Sequence, residues 1–168
     1  ITLIGQGKLG PIGTTLLAGY TYTNPIDLNY DPALDTTNTA GTNVLKYRFY
    51  HGAKYDLQFD YKKFSLGSSG RYISNILNID RAFEDKLFAD IMPGLPESDV
   101  FYLLPGLKEY RKKHNKGALV FDARAAYQVS DRNKISLVCN NLLNSEYMGR
   151  PGDIQPPRTL SMQYTLSF

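Results

Sequence analysis

The sequence predicts an all-β protein, an antiparallel transmembrane β-barrel or a large piece of one, and three observations lead there. Several segments alternate apolar and polar residues with a period of two, the pattern of a strand with two unlike faces. The connections between them run short, long, short, long, short, long: about 10–13, 24–43, 63–64, 76–117, 131–133 and 144–156. The strongest segment sets a row of aromatics against a row of charges, which suits a wall between lipid and a wet lumen better than a soluble sandwich. Antiparallel strands joined in this rhythm put every short turn at one end and every long loop at the other, as membrane barrels do. A β-sandwich has no reason to sort its loops by length.

The first segment covers about 1–9, and "GPIG" turns it into a second at 14–23, where Leu16, Ala18, Tyr20 and Tyr22 share a face. Residues 24–43, rich in Asn, Asp, Pro, Gly and Thr, read as a loop. The third segment, "VLKYRFYHGAKYDLQFDYK", sets Leu45, Tyr47, Phe49, Ala53, Tyr55, Leu57, Phe59 and Tyr61 against Lys46, Arg48, Lys54, Asp56, Gln58 and Asp60. It is longer than the roughly 9–11 residues of a membrane strand, so its first half is expected to project beyond the bilayer. A two-residue turn at 63–64 would then lead into "SLGSSGRYIS". That register places Lys62 opposite Ser65 and Asp56 opposite Arg71, with Gly67 and Gly70 as candidate bulge sites.

In the next connection Ile79, Phe83, Leu87 and Ile91 fall four apart, which predicts a short amphipathic helix. The fifth segment, "ALVFDARAAYQVS", opposes Leu119, Phe121, Ala123, Ala125, Tyr127 and Val129 to Asp122, Arg124 and Gln128. "DRN" turns it into "KISLVCNNLL", and the last segment alternates through Leu160, Met162, Tyr164, Leu166 and Phe168. The parity predicts that Leu45, Tyr55, Leu57, Phe59, Leu119, Phe121, Leu160, Met162, Tyr164 and Leu166 face lipid.

Composition narrows the function. A net charge of +3 is too weak and dispersed for nucleic acid. The single Cys139 excludes an internal disulfide framework, and no apolar run reaches the roughly 18 residues of a spanning helix. Only His51 and His114 are present. Ala53 stands two positions after His51, so no lipid-side His-x-Ser pair exists for nucleophilic chemistry. Two distant histidines make a poor metal site. Neither an enzyme nor a cofactor is expected, and the Asp27, Tyr30, Asp31 and Asp35 loop lacks a calcium-loop spacing. Seven strands are an odd number, whereas bacterial single-chain barrels have even counts from 8 upward. An open edge in lipid would leave backbone groups unpaired. The chain, which opens directly on a strand, is therefore expected to be a processed or partial product whose first and last strands pair with other polypeptide.

The stretch "NNLLNSEYMGRPGDIQPPRTLSMQYTLSF" resembles the C-terminal end of TonB-dependent outer-membrane receptors: "NLLN…Y", a Gly/Pro-rich loop, and "PPR" opening a last strand that ends in Phe. The wording "EYMGRPGDIQPPR", with "LKYRFYHGAKYDLQFDYKKFSLGSSGRYIS" and "PGLKEYRKKHN", is similar to the Bacteroidota branch. The resemblance covers essentially residues 1–168. It implies about seven C-terminal strands of a 22-stranded barrel in the bacterial outer membrane, with the plug domain and earlier strands elsewhere, in the same or another chain. It further implies import of a scarce nutrient, such as a ferric siderophore or haem, with TonB-supplied energy. The partners implied are the rest of the barrel, the plug, the TonB complex, lipopolysaccharide and outer-membrane lipid, and a surface lipoprotein. A passive porin-like channel and a soluble adhesion sandwich are the rival readings. On this reading Lys46, Arg48, Lys54, Asp56, Asp60, Arg71, Asp122 and Arg124 face the lumen. Lys108, Arg111, Lys112, Lys113 and Lys116 form an extracellular basic run suited to lipopolysaccharide phosphates or an anionic ligand. Tyr164, Leu166 and Phe168 resemble the signal read by the barrel-assembly machinery.

Overall fold

The computed structural model describes residues 1–35, 37–85 and 102–168. Seven strands form a single antiparallel sheet in simple sequence order: β1 (Thr2–Leu9), β2 (Ile12–Tyr22), β3 (His51–Tyr61), β4 (Phe64–Ile73), β5 (Ala118–Ser130), β6 (Asn133–Asn140) and β7 (Thr159–Leu166). Three two-residue turns join them at one end. Leu9 faces Ile12 across Gly10–Pro11, Tyr61 faces Phe64 across Lys62–Lys63, and Ser130 faces Asn133 across Asp131–Arg132. Gly10 and Lys62 take φ values of 61° and 52°, the left-handed backbone that tight hairpins demand. The three long connections leave the opposite end. The only register shift in these ladders lies between Gln128 and Ser130, beside a turn.

Cross-strand partners share a face, so the register sorts every strand residue. One face carries Leu3, Leu16, Tyr20, Tyr55, Leu57, Phe59, Leu66, Tyr72, Leu119, Phe121, Tyr127, Leu137, Leu160, Met162 and Tyr164. The other carries Gln6, Thr15, Lys54, Asp56, Gln58, Asp60, Ser65, Ser69, Arg71, Asp122, Arg124, Lys134, Ser136 and Gln163. Among the described residues no second sheet covers the apolar face: Leu137 is 56% exposed, Leu66 58% and Leu160 81%. Among the described residues the buried apolar ones are Ile79, Leu107 and Val120, too few to be a sandwich core. The soluble sandwich is thereby excluded for the described residues.

The apolar face is rimmed with aromatics at both ends. Tyr20, Tyr22, His51 and Tyr72 lie toward the long loops, and Tyr61, Phe64 and Tyr127 toward the turns. The 11-residue strand β3 spans about 33 Å at ~3.3 Å per residue. At a tilt of about 40° this gives about 25 Å, the height of a barrel's lipid-facing band between its girdles.

Several expectations need correction. The third strand begins at His51, because Tyr47 adopts φ 60°, which breaks an extended run. Leu45, Lys46 and Arg48 are therefore not on a strand, and Leu45 is not on the apolar sheet face. Their segment is bound instead to other loop residues: Val44 bridges Ile26, and the Tyr47 N–H donates to Asn78 O at 2.9 Å. The β3–β4 turn lies one position earlier than 63–64, so Asp56 faces Ser69, and Arg71 faces Lys54. The shift is by two in register, which preserves every face. No bulge occurs at Gly67 or Gly70. Of the expected helix over 78–92, the structure shows a 3-10 turn at Arg81–Phe83, and Leu87 and Ile91 lie outside the described residues. A helix the periodicity did not flag, α1 (Leu107–Lys113), is built from the basic run. The final strand stops at Leu166, and Phe168 lies beyond it, fully exposed.

The two faces answer differently to charge. Leu137→Arg on the apolar face is expected to cost about 2–4 kcal/mol in lipid vesicles, and the neighbouring Ser136→Arg less than about 1 kcal/mol. Denaturant unfolding in lipid vesicles measures both, and equal losses would contradict the two-sided wall.

Candidate functional site

The polar face is organised around Arg124. Its Cα sits on β5, yet its guanidinium crosses β4 to reach Asp56 on β3, with Nη1 to Oδ2 and Nη2 to Oδ1 both at 2.7 Å. Gly67 makes the crossing feasible. A Cβ at that position would lie 2.4 Å from Arg124 Nε and 2.6 Å from Cζ, so only a glycine leaves room for the side chain. The same Nη2 donates to Gln58 Oε1 at 3.2 Å, and Gln58 Nε2 donates to Asp60 Oδ1 at 3.1 Å. Ser65 Oγ closes the chain on Asp60 Oδ1 at 2.5 Å. The forked ion pair is geometrically specific, but its side chains are 34% and 42% exposed, so solvent screening holds its worth to about 1 kcal/mol or less.

The other charges on this face do different work. Asp122 Oδ1 accepts the Asn141 N–H at 2.7 Å, so this carboxylate ends the β5–β6 hairpin. Asn141 is buried, with φ 51°; its Nδ2 donates to Ser145 O at 2.8 Å and its Oδ1 accepts the Ser145 N–H at 2.8 Å. Asn144, also left-handed, accepts the Arg158 N–H at 2.8 Å. The "NLLN" stretch is thus a pair of asparagine clamps that folds the third long loop back to the start of β7. Arg71 donates through Nη2 to the Tyr147 hydroxyl of that loop at 2.6 Å and lies 5.7 Å from its ring centroid. Lys54 sits opposite Arg71, its stem over Gly19.

The first two long loops are knotted together around Asn78, Ile79 and Asp80. Asn78 and Ile79 are essentially buried. Asn78 Oδ1 accepts the Thr39 N–H at 3.0 Å, while Nδ2 donates to Val44 O at 2.5 Å. Thr39 and Ile79 exchange backbone and hydroxyl bonds at 3.0 Å. Lys46 Nζ lies 2.5 Å from Asp80 Oδ1 and 2.7 Å from Thr37 Oγ1, and the Tyr47 hydroxyl donates to the other Asp80 oxygen. The Lys46 ammonium, and next the Tyr47 hydroxyl, hold the Asp80 carboxyl below the usual carboxylate range. Burial, then the hydrogen bond to Asp80, pushes the Tyr47 phenol up.

Of the residues the sequence nominated for the polar face, Lys54, Asp56, Asp60, Arg71, Asp122 and Arg124 do share one face. Lys46 and Arg48 do not, since their segment is loop. In the basic run, Lys108 pairs with Asp85 at 3.0 Å and Arg111 with Glu84 at 2.6 Å. Lys112, Lys113 and Lys116 remain exposed. Tyr164 and Leu166 lie on the apolar face, and the Tyr164 hydroxyl bonds the Asn133 side chain. Sequence reasoning missed the roles of Gly67, Gln58, Ser65, Asn78 and Asp80. It marked Asn141 and Tyr147 only as signature positions.

No protein-family model and no curated protein matches this chain. Two solved structures are similar over nearly all of it. The ferric-catecholate import receptor Fiu of E. coli K12, in a closed form, superposes with a TM-score of 0.65 at 20% identity, covering 97% of this chain and 20% of its own. FpvA of P. aeruginosa, solved with heterologous pyoverdines and iron, superposes with a TM-score of 0.57 at 19% identity, covering 96% of this chain and 18% of its own. Both are TonB-dependent receptor barrels. The likeness is one of fold, and this chain spans about one fifth of either receptor.

Two outcomes follow from the site. Gly67→Ala should displace Arg124 and cost about 1 kcal/mol, and the cost should fall toward zero in an Asp56→Ala background; a thermal-unfolding cycle measures this coupling. For the loop knot, a depressed Asp80 pKa means that its stabilisation is present above the unfolded value of ~3.9 and is lost as pH falls through the lower folded value. Protease nicking within 37–47 should therefore be slow at neutral pH and fast in acid, whereas Asp80→Asn should nick readily at neutral pH.

Proposed function

We propose that this chain is the C-terminal third of the barrel of an outer-membrane receptor that imports a scarce nutrient with energy supplied by TonB. One observation carries the reading: a single seven-stranded sheet, uncovered and apolar on one face, charged and hydrogen-bonded on the other, with all long loops at one end. Such a sheet fits no soluble layer architecture. It fits a membrane barrel wall, and the superposition on two receptor barrels supports that placement.

On this reading residues 1–168 supply seven strands of a 22-stranded, multi-pass barrel. The outer edges of β1 and β7 pair with the remaining strands, since each unpaired N–H or C=O in hydrocarbon costs several kcal/mol. The Arg124–Asp56–Gln58–Asp60 network lines the lumen and presents a wall to the plug. Lys112, Lys113 and Lys116 meet lipopolysaccharide phosphates at the outer leaflet, and Tyr164, Leu166 and Phe168 serve assembly. The motif wording favours the Bacteroidota branch, in which a surface lipoprotein is a further partner. The cargo class, a ferric siderophore, haem or another large chelate, follows from the receptor reading and not from a pocket in this chain.

The test is uptake of radiolabelled ferric chelates by iron-starved cells carrying the full-length gene, with and without TonB. Uptake that vanishes with TonB or with the proton gradient is the expected result. Passage that persists without TonB would instead identify a porin-like channel.

A further inference from the structure

The turn between β3 and β4 differs in charge from the other two. The first two-residue turn is Gly10–Pro11, and the third, Asp131–Arg132, carries one charge of each sign. The second is Lys62–Lys63, framed by the cross-strand partners Tyr61 and Phe64, so the hairpin tip reads aromatic, cation, cation, aromatic. Both rings lie on the apolar face and are exposed. The Phe64 and Tyr127 ring centroids are 4.7 Å apart, and the Gln128 N–H donates to Lys63 O at 2.8 Å, which ties the tip to β5.

A lysine at position 62 is unfavourable for the turn itself. Its φ of 52° is left-handed, and the same position of the first turn holds Gly10 at φ 61°, where no Cβ opposes that backbone. Turn geometry alone would favour Gly or Asn here. What the lysine adds is an ammonium, and Nζ lies over the Tyr61 ring, 5.2 Å from its centroid. The charge is therefore held on the apolar side of the wall, beside the aromatic row. Among the described residues no carboxylate lies within ion-pair reach of Lys62 or Lys63. Lys8 and Lys134 also lack an ion pair, but both take the polar face.

We infer that the Tyr61–Phe64 hairpin tip docks the headgroup of an anionic phospholipid in the membrane leaflet on the turn side. The inference rests on the membrane-barrel part of the receptor reading and adds a lipid partner at the end opposite the long loops. Aromatic rings mark the height of the membrane interface. Two exposed ammonium groups at that height meet the phosphates of a negatively charged leaflet, and each lysine near such a surface adds to the attraction. The outward seat of Lys62 on Tyr61 decides between lipid and a carboxylate of the plug, which would approach from the polar face.

The experiment uses the protein made from its full-length gene and reconstituted into phosphatidylcholine vesicles. Two photoreactive lipids, phosphatidylglycerol and phosphatidylcholine, each carry a diazirine beside the glycerol. Peptide mapping of the adducts is expected to show Tyr61–Phe64 labelled by the anionic probe in preference to the zwitterionic one, less so as salt rises. Lys62→Gly and Lys63→Gln should each lower that preference about fivefold. Lys62→Gly also relieves the left-handed position, so its melting temperature should not fall, which separates lost lipid from a lost turn. Lys8→Gln and Lys134→Gln should leave the preference unchanged. Equal labelling by both probes, an undiminished preference in Lys62→Gly and Lys63→Gln, or an equal loss in Lys8→Gln would overturn the inference. An unlabelled tip, with the plug opened to protease in Lys62→Gly, would overturn it in favour of a plug contact. Loss of TonB dependence in the uptake assay bears on the receptor reading alone and leaves the labelling result standing.

Discussion

The antiparallel ladder, continuous in register from β1 to β7 apart from one shift beside a turn, is the constraint on which the rest depends. Backbone groups of neighbouring strands pair along the ladders, so side chains are free to differ completely between the two faces. A period of exposure equal to two then becomes a division between solvents. A single slipped residue would put Lys54, Asp56 and Arg71 where Tyr55, Leu57 and Tyr72 now stand. The two-residue turns enforce the register at one end, and the left-handed Gly10 and Lys62 make two of the three tight.

Given that ladder, the small residues decide where large side chains travel. Gly67 opens the polar face so that Arg124 can cross a whole strand to its carboxylate. On the opposite face Gly70 does the same for rings: a Cβ there would lie 2.3 Å from Tyr55 and 3.0 Å from Phe121. Tyr55 thus leans over β4, where its hydroxyl also meets Ser68 Oγ at 3.0 Å. These glycines are side-chain notches in an unbroken strand. They weaken the local backbone preference, and the crossing side chains recover part of that loss through packing and pairing.

The loop end is ordered by buried asparagines, which supply donors and acceptors where strands can no longer do so. Asn78 ties the first two loops together, and Asn141 folds the third onto Asp122. An amide can satisfy both an N–H and a C=O of passing backbone, which a buried apolar residue cannot. The wall's charged residues accordingly divide into those that stabilise the wall, such as Arg124 and Asp122, and the cations without an ion pair among the described residues, Lys8, Lys54, Arg71 and Lys134.

Strand existence, order and facing were legible in the alternation of residues such as Leu160, Met162 and Tyr164, because period two is a local property of the chain. The sorting of short turns from long loops was equally legible, since it needs only connection lengths. The partners of the charges were not. A turn at 63–64 matches Asp56 to Arg71, whereas its partner Arg124 lies two strands away, reached over a glycine. The alternation through Lys46 and Arg48 predicts a strand, yet Tyr47 turns left-handed to meet Asp80 across a loop. Sequence by itself determined which side of a sheet each residue takes, for that follows from the geometry of an extended chain. Only the tertiary structure decided which charges meet, because that depends on hairpin register, on a missing Cβ and on contacts between segments far apart in the chain.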